Sequence, residues 1–375
     1  MTVESDFSSR KRFPGETGNP LDTILHAFNA IERIPFPFFA LLLLGLAIIF
    51  TFARWQFTFV LFFFFLFDWM ALALLPRAMK SFGPSKPPTL ILAGMRSLVA
   101  LLPFIISFPL QFLGVLLVIY GFWIEPHYIQ VTYQKLSTPK FRPVRPIRLL
   151  HLGDLHIERI TTRERQLNRL INDLKPDLIL FSGDILNLSF RQEPQAMEEA
   201  RSILSGWAAP LGVFIVSGSP AVDLVDIFPK IILDLPLHWL DDERVTINFL
   251  GDAIDVIGLT CTHRPHEDGR RLNALIDTTL DHFTILLYHT PDLAPIASRS
   301  NIDLQLSGHT HGGQIRLPWF GALLTGSLYG KKFEAGRIPV GNLLLYVTRG
   351  LGMEGAGAPR VRFLCPPEII LWEIG

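Results

Sequence analysis

Two carboxylates and four imidazoles stand just beyond short apolar runs in the second half of this sequence. Asp154 and His156 lie in "HLGDLH", and Asp184 follows "LILFSG". His289 follows "FTILLY", and His309 and His311 close "LQLSGHTH". Oxygen and nitrogen donors without thiolate suit manganese, iron or zinc. A carboxylate can also bridge two cations, and Asp184, central in chain order, is the natural bridge. Two such divalent ions about 3.5–4 Å apart lower the pKa of a shared water and clamp a phosphoryl oxygen. The expected chemistry is hydrolysis of a phosphoester or phosphoanhydride by a metal-activated water. A single Asp or His of this kind often only caps a helix or satisfies a loop. Six of them, each near a strand end, make that reading poor for the set.

The elements that must position them alternate. Strands are expected at Ile147–Leu152, Asp177–Ser182, Gly212–Ser217, Ala253–Leu259, Phe283–His289, Ile302–Ser307 and Leu343–Thr348. Amphipathic stretches Arg163–Leu174, Pro194–Gly206 and Arg270–Leu280 fall between them. "HYIQVTYQKL" reads as a further strand, joined on by the Pro-rich "STPKFRPVRP". Such alternation predicts an α/β domain with helices covering the sheets. In open α/β sheets ligands gather beyond the carboxyl ends of strands, where these Asp and His residues fall.

The first half has another texture. The 375 residues are 49% hydrophobic and include 30 Phe, with charge thinned to 18%. About 25% charge is usual in a soluble domain, so part of the chain belongs elsewhere. Ile34–Ala53, Trp55–Leu75 and Ser97–Ile124 are candidate membrane spans, the last with Pro103 and Pro109 as kinks. About 20 apolar residues cross a hydrocarbon core. The chain thus divides into a polar N-terminus (1–33), a membrane region of about three helices (34–124) and an α/β domain (125–375). Asp68 interrupts the second span. As an intramembrane acid it is a functional candidate, but with no second ionisable group inside a span, an interfacial position or a bond to a neighbouring helix is the better reading. The aromatic run Phe62–Phe65 reads as lipid contact. Arg10, Lys11, Arg12 and Arg33 precede the first span, and Arg77, Lys80, Lys86 and Arg96 follow the second. With three crossings, the positive-inside rule leans toward an extracytoplasmic domain in a multi-pass protein of the cell membrane. A formal net charge of zero gives no reason to expect nucleic acid. Cys261 and Cys365 are too few and too far apart for a disulfide scaffold.

The blocks "HLGDLH", "LFSGDILN", "YHTPDLAP" and "LSGHTHGGQIRLP" resemble, in order, those of the calcineurin-like metallophosphoesterases. "LYVTRGLG" and "RFLCPPEI" are similar to the bacterial membrane-attached branch. The resemblance implies a sandwich of two mixed sheets flanked by helices. It implies one metal held by Asp154, His156, Asp184 and His311. A second would be held by Asp184, His289, His309 and an Asn from a Gly-Asn-His-Asp block. Asp184, His289 and His309 would then carry catalysis.

Here the sequence departs. After "VFIVSG" it reads Ser219-Pro220-Ala221-Val222-Asp223. Serine ligates more weakly than an amide, and proline offers no proton to a leaving group. A weaker second metal is expected, and general-acid help worth about 10²–10⁴ in rate is missing. A pyrophosphate, with its good leaving group, suffers least. The substrate class is therefore a phosphorylated small molecule or a lipid-linked one presented at the bilayer. The rival is a catalytically degenerate metal-binding or scaffold module. Asp223 and Asp226 either reach the site from a rearranged loop or charge the start of a helix. His263 and His266, in "CTHRPHEDG", are either substrate or proton-transfer groups or surface residues. Arg349 ends a strand and is a candidate phosphate contact. Gly350-x-Gly352-x-x-Gly355 opens no helix and is discounted as a dinucleotide fingerprint.

Overall fold

The structure is a computed structural model that describes residues 7, 10, 13, 16, 20–277, 279 and 281–375. Lys11 and Arg12 of the N-terminal basic group, and Leu280 of the expected third helix, lie outside the described residues.

Among the described residues, five α-helices precede the α/β domain: α1 (Pro20–Asn29), α2 (Phe36–Phe50), α3 (Trp55–Ala73), α4 (Lys86–Ala100) and α5 (Phe104–Val118). The turns at 51–54 and 101–103 lie together, around one cavity lined by Thr51, Arg54, Leu101 and Pro103. The bundle is therefore two helical hairpins with both turns at one end. Trp55–Ala73 and Phe104–His127, the latter running on through a π-helical turn at Ile119–Ile124, are long and apolar enough to cross a membrane. The helices flanking Ile34 and Pro35 pass that test only together, and they are bent by 109°. At 15 residues, α2 and α4 each reach only about 22 Å.

The expected third span, Ser97–Ile124, is corrected. Its first residues complete α4. Pro103 disfavours a helical Leu102 and becomes the N-cap of α5, so the chain turns there and does not kink. Arg96, one residue before the expected span, lies inside the bundle and pairs with Asp68. Its Nε and Nη2 donate to the two carboxylate oxygens at 2.5 and 2.8 Å. Nη1 donates to the carbonyl and side chain of Gln111 at 2.7 and 3.1 Å, and Gln111 Nε2 returns a bond to the Arg96 carbonyl. Of the expected lipid-facing aromatics, Phe63 is exposed, whereas Phe64 and Phe65 are buried against the other helices.

The domain begins with β1 (Gln130–Leu136) and β2 (Ile147–Leu152), then α6 (Thr162–Leu174), β3 (Leu178–Phe181), α7 (Pro194–Leu204), β4 (Val213–Ile215) and α8 (Phe228–Ile232). Next come β5 (His238–Trp239), β6 (Glu243–Phe249), β7 (Asp252–Leu259) and α9 (Pro265–Leu275). They are followed by β8 (Phe283–Tyr288), β9 (Leu304–Ser307), β10 (Arg316–Leu317), β11 (Gly321–Ala322), β12 (Gly336–Val340), β13 (Leu343–Val347) and β14 (Glu368–Ile374). One six-stranded sheet has the order β1-β14-β2-β3-β4-β5 and the other β12-β13-β9-β8-β7-β6, each mixed parallel and antiparallel. The α/β sandwich is as expected. Helix α9 lies five residues earlier than the Arg270–Leu280 reading, because Pro265 opens it and Ile276 takes an extended conformation.

Period-2 alternation explains the layers. On β2, Leu150 and Leu152 face α6 and α7, while Ile147 and Leu149 meet Val256, Ile285 and Leu306 of the second sheet. A third core, around Leu259, Leu286 and Leu345, lies under α9. Helix α6 starts at a capping box in which Thr161 and Glu164 satisfy each other's backbone ends.

The apolar N-terminal helices meet the domain along one rim. Glu158 accepts from the Phe82 N–H at 2.8 Å, and Thr162 N–H donates to the Met79 carbonyl at 3.2 Å. Glu125 accepts from the Leu364 and Cys365 N–H groups, and Arg362 N–H donates to the Gly121 carbonyl. Helix α1 joins the same rim, its Leu25 packing with Leu188, Ala221, Val222 and Ala356.

Candidate metal centre

The parallel strands β2, β3, β8 and β9 end side by side, and each delivers polar side chains into the turn that follows. Asp154, His156, Asp184, His263, His309 and His311 all take positive φ, between 45° and 72°. Non-glycine residues seldom adopt this left-handed region, and it concentrates where surrounding structure holds a functional geometry. Glycines make room for them. A Cβ on Gly218 would stand 2.1 Å from Asp184 Oδ1, and one on Gly350 (φ 66°) would stand 2.6 Å from Asp154 Oδ2. The Gly350–Gly355 segment is thus a close-packed loop, in keeping with the rejected dinucleotide reading.

Among the described residues three sets of donors converge, each with its ligand atoms within 4.8 Å of one another: Asp154, His156 and His311; Asp154, Asp184 and His289; and His263, His289 and His309. Asp184 Oδ2 lies 3.4 Å from both His156 Nε2 and His289 Nε2, midway between the groups. His156 Nε2 and His311 Nε2 face each other at 3.0 Å. At roughly 2.1 Å per bond, two nitrogens held at right angles by one cation sit about 3 Å apart. His289 donates its Nδ1–H to the Ser182 carbonyl at 2.8 Å, which turns Nε2 toward Asp184. The residues present therefore fit divalent cations.

Electrostatics agree. Burial pushes His263, His309 and His311 below their ordinary value, His309 to about 4, leaving neutral imidazoles able to donate to a metal. Burial acts against charge on Asp184 too, but the imidazoles of His289, His156 and His309 outweigh it and hold the carboxyl below its usual range. Burial raises Asp154 to about 6, with the Asp184 charge adding to it. On His289 burial is outweighed by Asp184 and Asp154, and the ring moves up to about 9.

Several expected candidates have other work. Asp223 enters neither the cluster nor a helix start. It accepts from the N–H groups of Asp184, Ile185 and Gly218 at 2.8, 3.0 and 2.8 Å, and so fixes two ligand-bearing loops together. Asp226 is exposed. Arg349 is turned to Glu368 and Gln130 at 3.1 and 2.9 Å, not to the centre. His266 sits on the first turn of α9 beside Glu267 and the Phe13 ring. Ser219 is brought in, its N–H donating to Asp184 Oδ1 at 2.7 Å. Asp268 was not anticipated. It is fully buried and accepts from the Thr262 N–H and hydroxyl at 3.0 and 2.6 Å, holding the loop before His263. Its position six residues after Thr262, at a helix start, was the available signal.

Residues 147–313 match the calcineurin-like phosphoesterase family. The chain is 31% identical over 273 residues to the uncharacterized metallophosphoesterase YkuE of Bacillus subtilis, covering 68% of this chain and 88% of that one. It is 27% identical to the UDP-2,3-diacylglucosamine pyrophosphatase LpxG of Chlamydia trachomatis, over 66% of this chain and 90% of that one. A Bos taurus transmembrane protein with metallophosphoesterase domain is 28% identical over 45% of this chain and 41% of its own length. This chain belongs to the calcineurin-like phosphoesterase family.

Proposed function

We propose that this metallophosphoesterase is a membrane-anchored hydrolase of phosphoanhydride or phosphoester bonds whose substrate is lipid-linked and enters from the bilayer. The observation that carries this reading is the common rim. The loops bearing Asp154, His156 and His311 continue directly into Glu158, Thr162 and Ile315, which meet the membrane helices. Beyond His311 the β10–β11 hairpin holds Trp319, Phe320, Leu323 and Leu324 out to solvent. Exposed apolar groups continuous with a membrane region favour an interfacial position. The pyrophosphatase LpxG, whose named substrate is a diacylated nucleotide sugar, supports a substrate of that class.

Asp154, His156, Asp184 and His311 would hold one ion, and Asp184, His289 and His309 a second. The ions would supply Lewis acidity and a water of lowered pKa. Burial keeps His263, His309 and His311 neutral, the Ser182 carbonyl fixes His289, and Asp184 spaces the two groups. Pro220 donates no proton, which suits a pyrophosphate whose leaving group departs without one.

The hairpin topology also bears on sidedness. Helix α1, residues 76–85 and β1 all lie at the domain end of the bundle, so the crossings between them are even in number. Arg33, Arg77, Lys80 and Lys86 share that end, and Arg54 stands at the far turn. By the positive-inside rule the domain then faces the cytoplasm, in place of the extracytoplasmic lean. Val144→Cys, at a fully exposed position, should resist an impermeant maleimide in intact cells and react after permeabilisation. Labelling of intact cells would reverse the assignment.

The full chain in nanodiscs should hydrolyse a lipid-linked pyrophosphate and bis-p-nitrophenyl phosphate, both abolished by Asp184→Ala. Trp319→Ser with Phe320→Ser should cut the lipid reaction about tenfold and spare the soluble one. Metal binding without any turnover sensitive to Asp184→Ala would instead favour the binding-module reading suggested by Ser219 and Pro220.

A further inference from the structure

We infer that His263 is a ligand of the second metal position, replacing the amide that this chain lacks at Ser219. The inference rests on the metal-dependent reading above and changes its ligand set. His263, His289 and His309 bring ring nitrogens within 4.8 Å of one another. Ring centroids lie 4.7 Å apart for His263–His309 and 5.2 Å for His289–His309. The Ser219 hydroxyl stands between two of these rings, 3.0 Å from His263 Nε2 and 3.1 Å from His289 Nε2. The place where an asparagine would project is therefore occupied by a short side chain, and the imidazole arriving from the opposite loop fills the space beyond it.

Two independent features set His263 apart from a histidine that is merely buried. Its φ of 63° puts it in the left-handed conformation shared with Asp154, His156, Asp184, His309 and His311. Its loop is also braced for the purpose. The buried Asp268 carboxylate takes both Thr262 donors, and is itself held by the Tyr288 hydroxyl and by Arg271. Thr262 Oγ1 accepts from the Arg264 N–H, so both neighbours of His263 are pinned. The ring is 3% exposed and faces no carboxylate of its own loop.

The consequence is chemical asymmetry. The first position offers two carboxylates and two imidazoles; the second offers Asp184 and three imidazoles. Nitrogen-rich sites favour zinc or iron over manganese, so the second position binds tightly and selectively despite the missing amide. The expectation of a weak second ion is thereby withdrawn.

The test is metal content of the full chain in detergent, dialysed against Zn²⁺ or Mn²⁺ alone and read by mass spectrometry and, for Mn²⁺, by electron spin coupling. Wild type should hold two ions, spin-coupled when both are Mn²⁺. His263→Ala should hold one and lose the coupling, with an unchanged melting transition confirming the fold. Adding Ser219→Asn to His263→Ala should restore the second ion. If His263→Ala melts early, His263→Gln, which keeps bulk and one oxygen donor, should show at least a tenfold weaker second Zn²⁺. Two ions in His263→Ala, with slower turnover only of esters with poor leaving groups, would make His263 a proton donor and overturn the assignment. A wild type that binds no metal would instead fail the functional reading itself.

Discussion

Two of the buried polar clusters close their hydrogen bonds in opposite ways. Between α3, α4 and α5, Asp68, Arg96 and Gln111 satisfy one another from within: each carboxylate oxygen meets a guanidinium N–H, and Nη1 reaches Gln111. At the domain rim the count does not close from within. His156 and His311 turn Nε2 toward Nε2 at 3.0 Å, with the Asp184 carboxylate 3.4 Å from the His156 nitrogen. Buried acceptors that face one another need a shared donor or cation between them. The first cluster is complete as a fastening between helices, and the second is complete only around an added cation.

Breaking each cluster should therefore have different symptoms. The largest effect is expected from Asp184→Ala, which removes the oxygen between the two ligand groups. Turnover should fall to background and both ions should be lost, while the fold persists by circular dichroism. Arg96→Met should do the reverse. It leaves Asp68 buried without a counter-charge, a loss of about 3–5 kcal/mol in denaturant titrations, with metal content of the folded fraction intact. Combining it with Asp68→Leu should recover most of that loss, because an apolar pair replaces the ionic one. Asp223→Ala comes next. It strands the N–H groups of Gly218, Asp184 and Ile185, lowering stability by about 1–3 kcal/mol and weakening metal binding together. The smallest effect is the coupling between regions. The cost of Arg96→Met should be the same with and without metal to within about 0.5 kcal/mol, the additivity of distant sites. A larger difference would mean that the two clusters communicate.

The sequence made the second cluster far more legible than the first. Asp154, His156, Asp184, His289, His309 and His311 each follow an apolar run, so strand geometry alone gathers them at one rim. Arg96 was hidden because an uncharged stretch begins at Ser97. The longest apolar run is not one helix here, because the chain turns at Pro103. His263 was equally hard, since its relation to Ser219 spans two loops and has no local periodicity. Asp223 was visible as a charge, but backbone N–H groups, its actual partners, leave no trace in a sequence. Strands β6, β12 and β14 were missed because they lie outside the alternating strand–helix blocks, and β1 was found only as a strand without a partner.

That partner matters for how the protein is made. Strand β1 leaves the last membrane helix, yet it pairs in parallel with β14, Gln130 with Glu368 through Leu136 with Ile374. At the roughly 5–20 residues per second of synthesis, the second strand emerges some tens of seconds after the first. Throughout that interval β1 is an unsatisfied edge, the kind of edge that recruits foreign strands. The apolar helix before it thus carries a template that waits for the far end of the domain. Completion of the first sheet is the step most exposed to misassembly and to the need for a chaperone.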